Sequence, residues 1–128
     1  MKKLAIVILL GLLVLAAGCT GSKKAGGSEA ELSQALNSGM PTLVMFYATW
    51  CPPCKMEKPV INELQRTYSG KLNVVYIDVD KYSALTSKYG VRGTPTMMFF
   101  NGNAQLVQIY VGYTDKQELL NTIGKLVR

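Results

Sequence analysis

Two apolar runs of strand length decide most of what this chain can fold into. Residues 42–48 (TLVMFYA) are nearly continuous in apolar character, and residues 72–80 (LNVVYIDVD) read as a second strand of the same kind. Runs like these belong to strands buried on both faces, which need helices on both sides of the sheet. The rest of the chain supplies them. Ser28-Glu29-Ala30-Glu31 matches a capping box, with Leu32, Ala35 and Leu36 following at helical spacing until Gly39 and Pro41. A second helical pattern runs from the Cys51-Cys54 segment to about Tyr68, with Pro59 inside it as a kink. Residues 82–89 form a short helix stopped by Gly90. Residues 96–100 and 105–111 are strands joined by an Asn101-Gly102 turn. Thr114-Asp115-Lys116-Gln117 is a second capping box, opening a last helix through Val127. The order α, β, α, β, α, β, β, α predicts an α/β fold, with a mixed central sheet of about four strands covered by helices on both faces.

At 128 residues the chain has room for one domain, expected over residues 29–128. Lys2 and Lys3 precede an uncharged stretch from Leu4 to Ala17, shorter than the ~20 residues needed to span a bilayer core. Residues 1–18 therefore read as a signal peptide. Leu15-Ala16-Ala17-Gly18-Cys19 resembles the lipobox of bacterial lipoproteins, which implies lipidation of Cys19 and a lipid-anchored, extracytoplasmic chain. Ala16 stands where Leu is most frequent in that motif. Residues 19–28 are the lipidated terminus and a small, polar, Gly-rich tether carrying Lys23 and Lys24. Of three Cys, lipidation of one leaves Cys51 and Cys54 as a self-contained pair.

A net charge of +6, partly carried by the leader, with 17% charged residues, argues against a partner held through nucleic-acid phosphates. The absence of His removes Cys-His and Ser-His nucleophilic pairs and His-ligated metals. A lone C-x-x-C reads as zinc or as redox. Structural zinc needs four ligands, and the chain has neither a second Cys pair nor His, so no metal is expected. The order strand, CxxC, helix puts Cys51 at a helix N-terminus, where free N–H groups and the macrodipole stabilise a thiolate. Cys51 is then the attacking sulfur. Cys54, one turn further in, is the shielded, resolving thiol. An inert disulfide is the plainer alternative, but so short a loop constrains the unfolded chain little.

Phe46-Tyr47-Ala48-Thr49-Trp50-Cys51-Pro52-Pro53-Cys54-Lys55 resembles the active-site segment of the thioredoxin superfamily. Pro59 matches that family's helix proline. Tyr89-Gly90-Val91-Arg92-Gly93-Thr94-Pro95-Thr96 resembles its cis-proline loop, and Val111-Gly112 its small-residue position beside the substrate groove. The resemblance implies a thioredoxin fold with Pro95 in cis, Thr94 open to pair with a substrate backbone, and Trp50, Pro52, Pro53 and Gly112 around the groove. Trp50 also reads as a core aromatic. The only cofactor implied is the redox-active Cys51–Cys54 disulfide itself.

The chain departs from cytoplasmic-type thioredoxins at informative places. Met45 stands where they bury an Asp, and Tyr76 where a Lys often partners it. Only the tether precedes the first helix, so the usual N-terminal strand is absent. The segment from Cys51 to Pro59 resembles membrane-anchored reductases of cytochrome c maturation, in which a Glu at the position of Glu57 tunes the cysteines. Those reductases carry a central insertion that this chain lacks. Glu57 follows Cys54 by three residues on one helix face. A solvated Glu near the helix start is the equal alternative. The expectation is a monomeric, membrane-tethered thiol–disulfide oxidoreductase acting on protein dithiols and disulfides, exchanging electrons with a membrane donor or acceptor. Reduction is the favoured direction. An oxidase or isomerase on the same scaffold, or a non-catalytic peptide-binding module, are the rivals.

Overall fold

The computed structural model describes residues 27–128, so the expected leader, Cys19, Lys23 and Lys24 lie outside the described residues. The elements are α1 (Glu29–Leu36), β1 (Thr42–Tyr47), α2 (Pro52–Thr67), β2 (Asn73–Asp78), α3 (Ser83–Lys88), β3 (Thr96–Phe100), β4 (Leu106–Val111) and α4 (Lys116–Leu126). Each falls where the sequence pattern places it, with ends shifted by a residue or two. Ser28 caps α1 as expected, its Oγ accepting the Glu31 N–H at 3.1 Å. Pro59 lies inside α2 without ending it. The second capping box is only half right. Asp115, not Thr114, is the N-cap of α4, its carboxylate accepting the Gln117 N–H at 2.8 Å. Thr114 is engaged elsewhere, with α2.

The sheet has four strands in the order β2-β1-β3-β4. β1 runs parallel to β2 and antiparallel to β3, and β4 returns antiparallel to β3. Phe46 pairs with Thr96, and Thr96 with Val111. The C-terminal ends of β1 and β4 and the N-terminal end of β3 therefore share one end of the sheet.

Period-two alternation divides β1 between two cores. Leu43 and Met45 pack with Met97 and Phe99 under Ile61 and Leu64 of α2 and Leu119 and Ile123 of α4. Val44 and Phe46 pack with Val75, Ile77, Met98 and Phe100 under Leu32 of α1 and Leu85 of α3. This double burial is why residues 42–47 carry almost no polar side chain. The edge strand β4 is largely exposed.

On the opposite edge, the chain entering α1 presses its backbone against β2. A Cβ on Gly27 would collide with the Tyr76 carbonyl oxygen and stand 3.1 Å from Val75 Cγ1. Glycine, having no Cβ, permits that approach.

Candidate active site

β1 carries the chain to the shared sheet end, where it turns into α2, with the Cys51 N–H donating to the Ala48 carbonyl at 3.3 Å. Cys51 is the N-cap of α2, and its Sγ accepts the Cys54 N–H at 3.3 Å. A disulfide joins Cys51 to Cys54, their Cα atoms 5.3 Å apart. Several free N–H groups are expected at a helix end of this kind. The structure narrows that to one. Pro52 and Pro53 occupy the first positions of α2 and have no N–H to offer. The macrodipole and the single Cys54 N–H remain to favour negative charge on Cys51.

Burial does not separate the two cysteines, which are 2% and 3% exposed. Position does. Cys51 caps the helix, whereas Cys54 lies in the buried stripe Cys54, Glu57, Ile61 and Leu64 on the inner face of α2.

Trp50 is not a core aromatic. It is 66% exposed, and its indole N–H donates to Asp80 Oδ2 at 2.8 Å. Asp80 was not singled out from the sequence. Its signal was its place just beyond β2, at the end where parallel β1 delivers the CxxC. Pro52 and Pro53 are exposed. The Thr94–Pro95 bond is cis, as the family resemblance implied. Pro95 is buried and Thr94 half-buried. Gly112, at φ +87°, donates its N–H to the Pro95 carbonyl at 2.8 Å. Its neighbours Val111 and Tyr113 are 73% and 50% exposed, large apolar side chains facing solvent beside the Pro95 loop.

Glu57 is fully buried, which overturns its reading as a solvated helix-start residue. Its Oε2 accepts the Thr114 N–H at 2.8 Å, and its Oε1 has no hydrogen-bond partner among the described residues. Desolvation raises the Glu57 carboxyl above its ordinary range, an effect the Thr114 N–H partly offsets. Met45 and Tyr76 are direct neighbours across β1 and β2. Met45 is wholly buried, and the Tyr76 hydroxyl donates to the Asn62 side chain. Burial pushes Tyr76 up to about 12. Glu57 is thus the buried carboxyl on the CxxC side of the sheet.

A CxxC disulfide capping a helix, at the sheet end shared with a cis-proline loop, defines a thiol–disulfide oxidoreductase of the thioredoxin fold. Comparison with known proteins agrees. The family model described as Thioredoxin matches residues 25–125. Thioredoxin 1 of Nostoc sp. is 41% identical over 92 residues, covering 72% of this chain and 85% of the relative. The thioredoxin of Haemophilus influenzae is 40% identical over 93 residues, covering 73% and 86%. Among solved structures, the germline-specific thioredoxin Deadhead of Drosophila melanogaster superposes with a TM-score of 0.71 at 34% identity, covering 81% of this chain and 99% of that one. A thioredoxin from Halobacterium salinarum gives 0.72 at 35% identity, covering 80% and 88%. The chain belongs to the thioredoxin family.

Proposed function

We propose that this thioredoxin is a lipid-tethered, extracytoplasmic reductase of protein disulfides. The observation that carries the catalytic part is the Cys51–Cys54 disulfide at the N-cap of α2. In the reduced protein, the Cys51 thiolate attacks one sulfur of a substrate disulfide. A mixed disulfide forms, and the other substrate sulfur leaves as a thiolate. The Cys54 thiolate then attacks Cys51 Sγ, closing the Cys51–Cys54 disulfide and releasing the second substrate thiolate. Two electrons pass to the substrate, whose two sulfurs take up two protons. A dithiol donor at the membrane reduces the pair again, and no further cofactor or metal takes part.

Trp50, Pro52, Pro53, Thr94, Pro95 and Gly112 form the groove that receives the substrate chain, with the Thr94 backbone pairing to it. Glu57, buried on the face of α2 that carries Cys54, is the acid–base group that tunes the cysteines where Met45 has replaced the family's acid. The membrane part of the reading is supported by Leu15-Ala16-Ala17-Gly18-Cys19 and the polar segment after it. A substrate in cytochrome c maturation is supported by the Glu57 segment alone.

Equilibration with defined thiol and disulfide buffers tests the direction. A potential near about −270 mV is expected, and a value between about −120 and −180 mV would transfer the protein to the oxidase or isomerase class. For the tether, Cys19→Ala is expected to move the protein from the membrane to the soluble fraction of a bacterial host. Unchanged membrane partitioning would overturn the anchor.

A further inference from the structure

Three hydrogen bonds run in series from the CxxC helix to the cis-proline loop. Glu57 Oε2 accepts the Thr114 N–H at 2.8 Å. The Thr114 hydroxyl donates to the Gly112 carbonyl at 3.2 Å. The Gly112 N–H donates to the Pro95 carbonyl at 2.8 Å. The first link joins residues 57 apart in sequence, and Glu57 and Thr114 are both buried, so water does not compete for it. No other hydrogen bond among the described residues joins α2 to residues 112–114. The middle of the chain is Gly112, at φ +87°, a backbone conformation that glycine adopts without steric cost.

We infer that Glu57 is a positioning residue, which through Thr114 and Gly112 sets the gap between the CxxC helix and the Pro95 loop and so the affinity for a polypeptide disulfide. The inference rests on the groove reading above, and it assigns Glu57 a task separate from acid–base tuning. A carboxylate committed at Oε2 to a loop amide acts as a clasp. An acceptor of the same shape keeps the clasp whether or not it titrates. An apolar residue of similar volume opens it and leaves the Thr114 N–H buried without a partner.

The test compares Glu57→Gln with Glu57→Leu in the full-length protein. Both lose the titrating group, but only Glu57→Leu loses the acceptor. Reduction of insulin, a polypeptide disulfide, is followed with dithiothreitol as electron source, and that of 5,5′-dithiobis(2-nitrobenzoate), a small one, in a single turnover by pre-reduced protein freed of dithiothreitol. The KM for insulin is expected to be about two- to tenfold higher in Glu57→Leu than in Glu57→Gln, the equivalent of one lost hydrogen bond. The two variants should match on the small disulfide, which needs no groove. Amide hydrogen exchange at Thr114 should stay slow in Glu57→Gln and become fast in Glu57→Leu. Equal insulin KM values in the two variants would overturn the clasp, as would a Thr114 amide equally protected in both. Thr114→Val keeps the N–H link and breaks the hydroxyl link. Its insulin KM should also rise, and an unchanged value would count against the chain of bonds. Should the wild-type protein reduce neither substrate, the catalytic reading falls, while the exchange result still decides whether Glu57 holds Thr114.

Discussion

Cys54→Ser is expected to accumulate as a mixed disulfide with its substrate, while Cys51→Ser neither turns over nor forms an adduct. The difference follows from where the two sulfurs sit. Cys51 is the N-cap, and its Sγ is the atom that receives the Cys54 N–H. That donor belongs to the backbone, so a serine at position 54 leaves it in place and the attacking thiolate keeps its stabilisation. What disappears is the sulfur that would release the product, and the reaction stops halfway. Removing Cys51 takes away the nucleophile itself, and turnover should fall by roughly three orders of magnitude or more. Insulin reduction gives the rates, and non-reducing electrophoresis with mass analysis shows the adduct. Adducts on Cys51→Ser instead of Cys54→Ser would exchange the two roles. Normal turnover by either variant would remove the dithiol mechanism altogether.

Phe99→Ala should cost about 3–5 kcal/mol of folding stability, enough to threaten the fold of a domain this size. Phe99 is wholly buried in β3, paired with Leu43 on one side and Gln108 on the other. Its ring meets Tyr110 edge-on at 6.0 Å. It belongs to the core cluster that unites α2 and α4 with the sheet. Truncation leaves a cavity bounded by two helices and a strand ladder, none of which can collapse without breaking other contacts. Urea unfolding of the oxidised protein measures the loss, and a thermal midpoint should drop on the order of 20 °C. Val111→Ala is the control, because its side chain is 73% exposed and should cost under about 0.5 kcal/mol. A Phe99→Ala loss below about 1 kcal/mol would mean that the core is far more compliant than its packing indicates.

The double burial of β1 was legible because apolar continuity is a local property of residues 42–47. The strand–CxxC–helix order was legible for the same reason, and the Pro95 loop came with the family resemblance. Glu57 was not settled, because the residues around it, Lys55 and Lys58, describe a solvated helix start. A signal was present nonetheless. Cys54, Glu57, Ile61 and Leu64 recur at the spacing of one helix face, and that face is the buried one. Taking Glu57 as a member of the stripe would have found it. Thr114 was hidden for a different reason. Thr and Asp both cap helices, and local sequence does not say which of two adjacent candidates does so when a tertiary partner takes the other. Asp80 and Tyr113 became visible only with the sheet order, since their proximity to the CxxC end is a matter of topology. The narrowing of free N–H groups to that of Cys54 could have been counted in advance, because proline lacks one wherever it stands.

Gly27 has a bearing on how the protein can be handled. Its backbone lies against β2, the outermost strand on one side, while Pro95 immediately precedes β3 and Gly112 immediately follows β4 on the other. From β2 to β4 is three strand spacings, about 14 Å. The first described residue, Gly27, thus lies on the flank remote from the β4 side of the rim. An attachment at Gly27 therefore leaves the Pro95 and Gly112 side of the rim uncovered, whereas Trp50 and Asp80 lie on the β2 side. A bulky graft at the turn between β4 and α4 would sit directly on the Pro95 and Gly112 side.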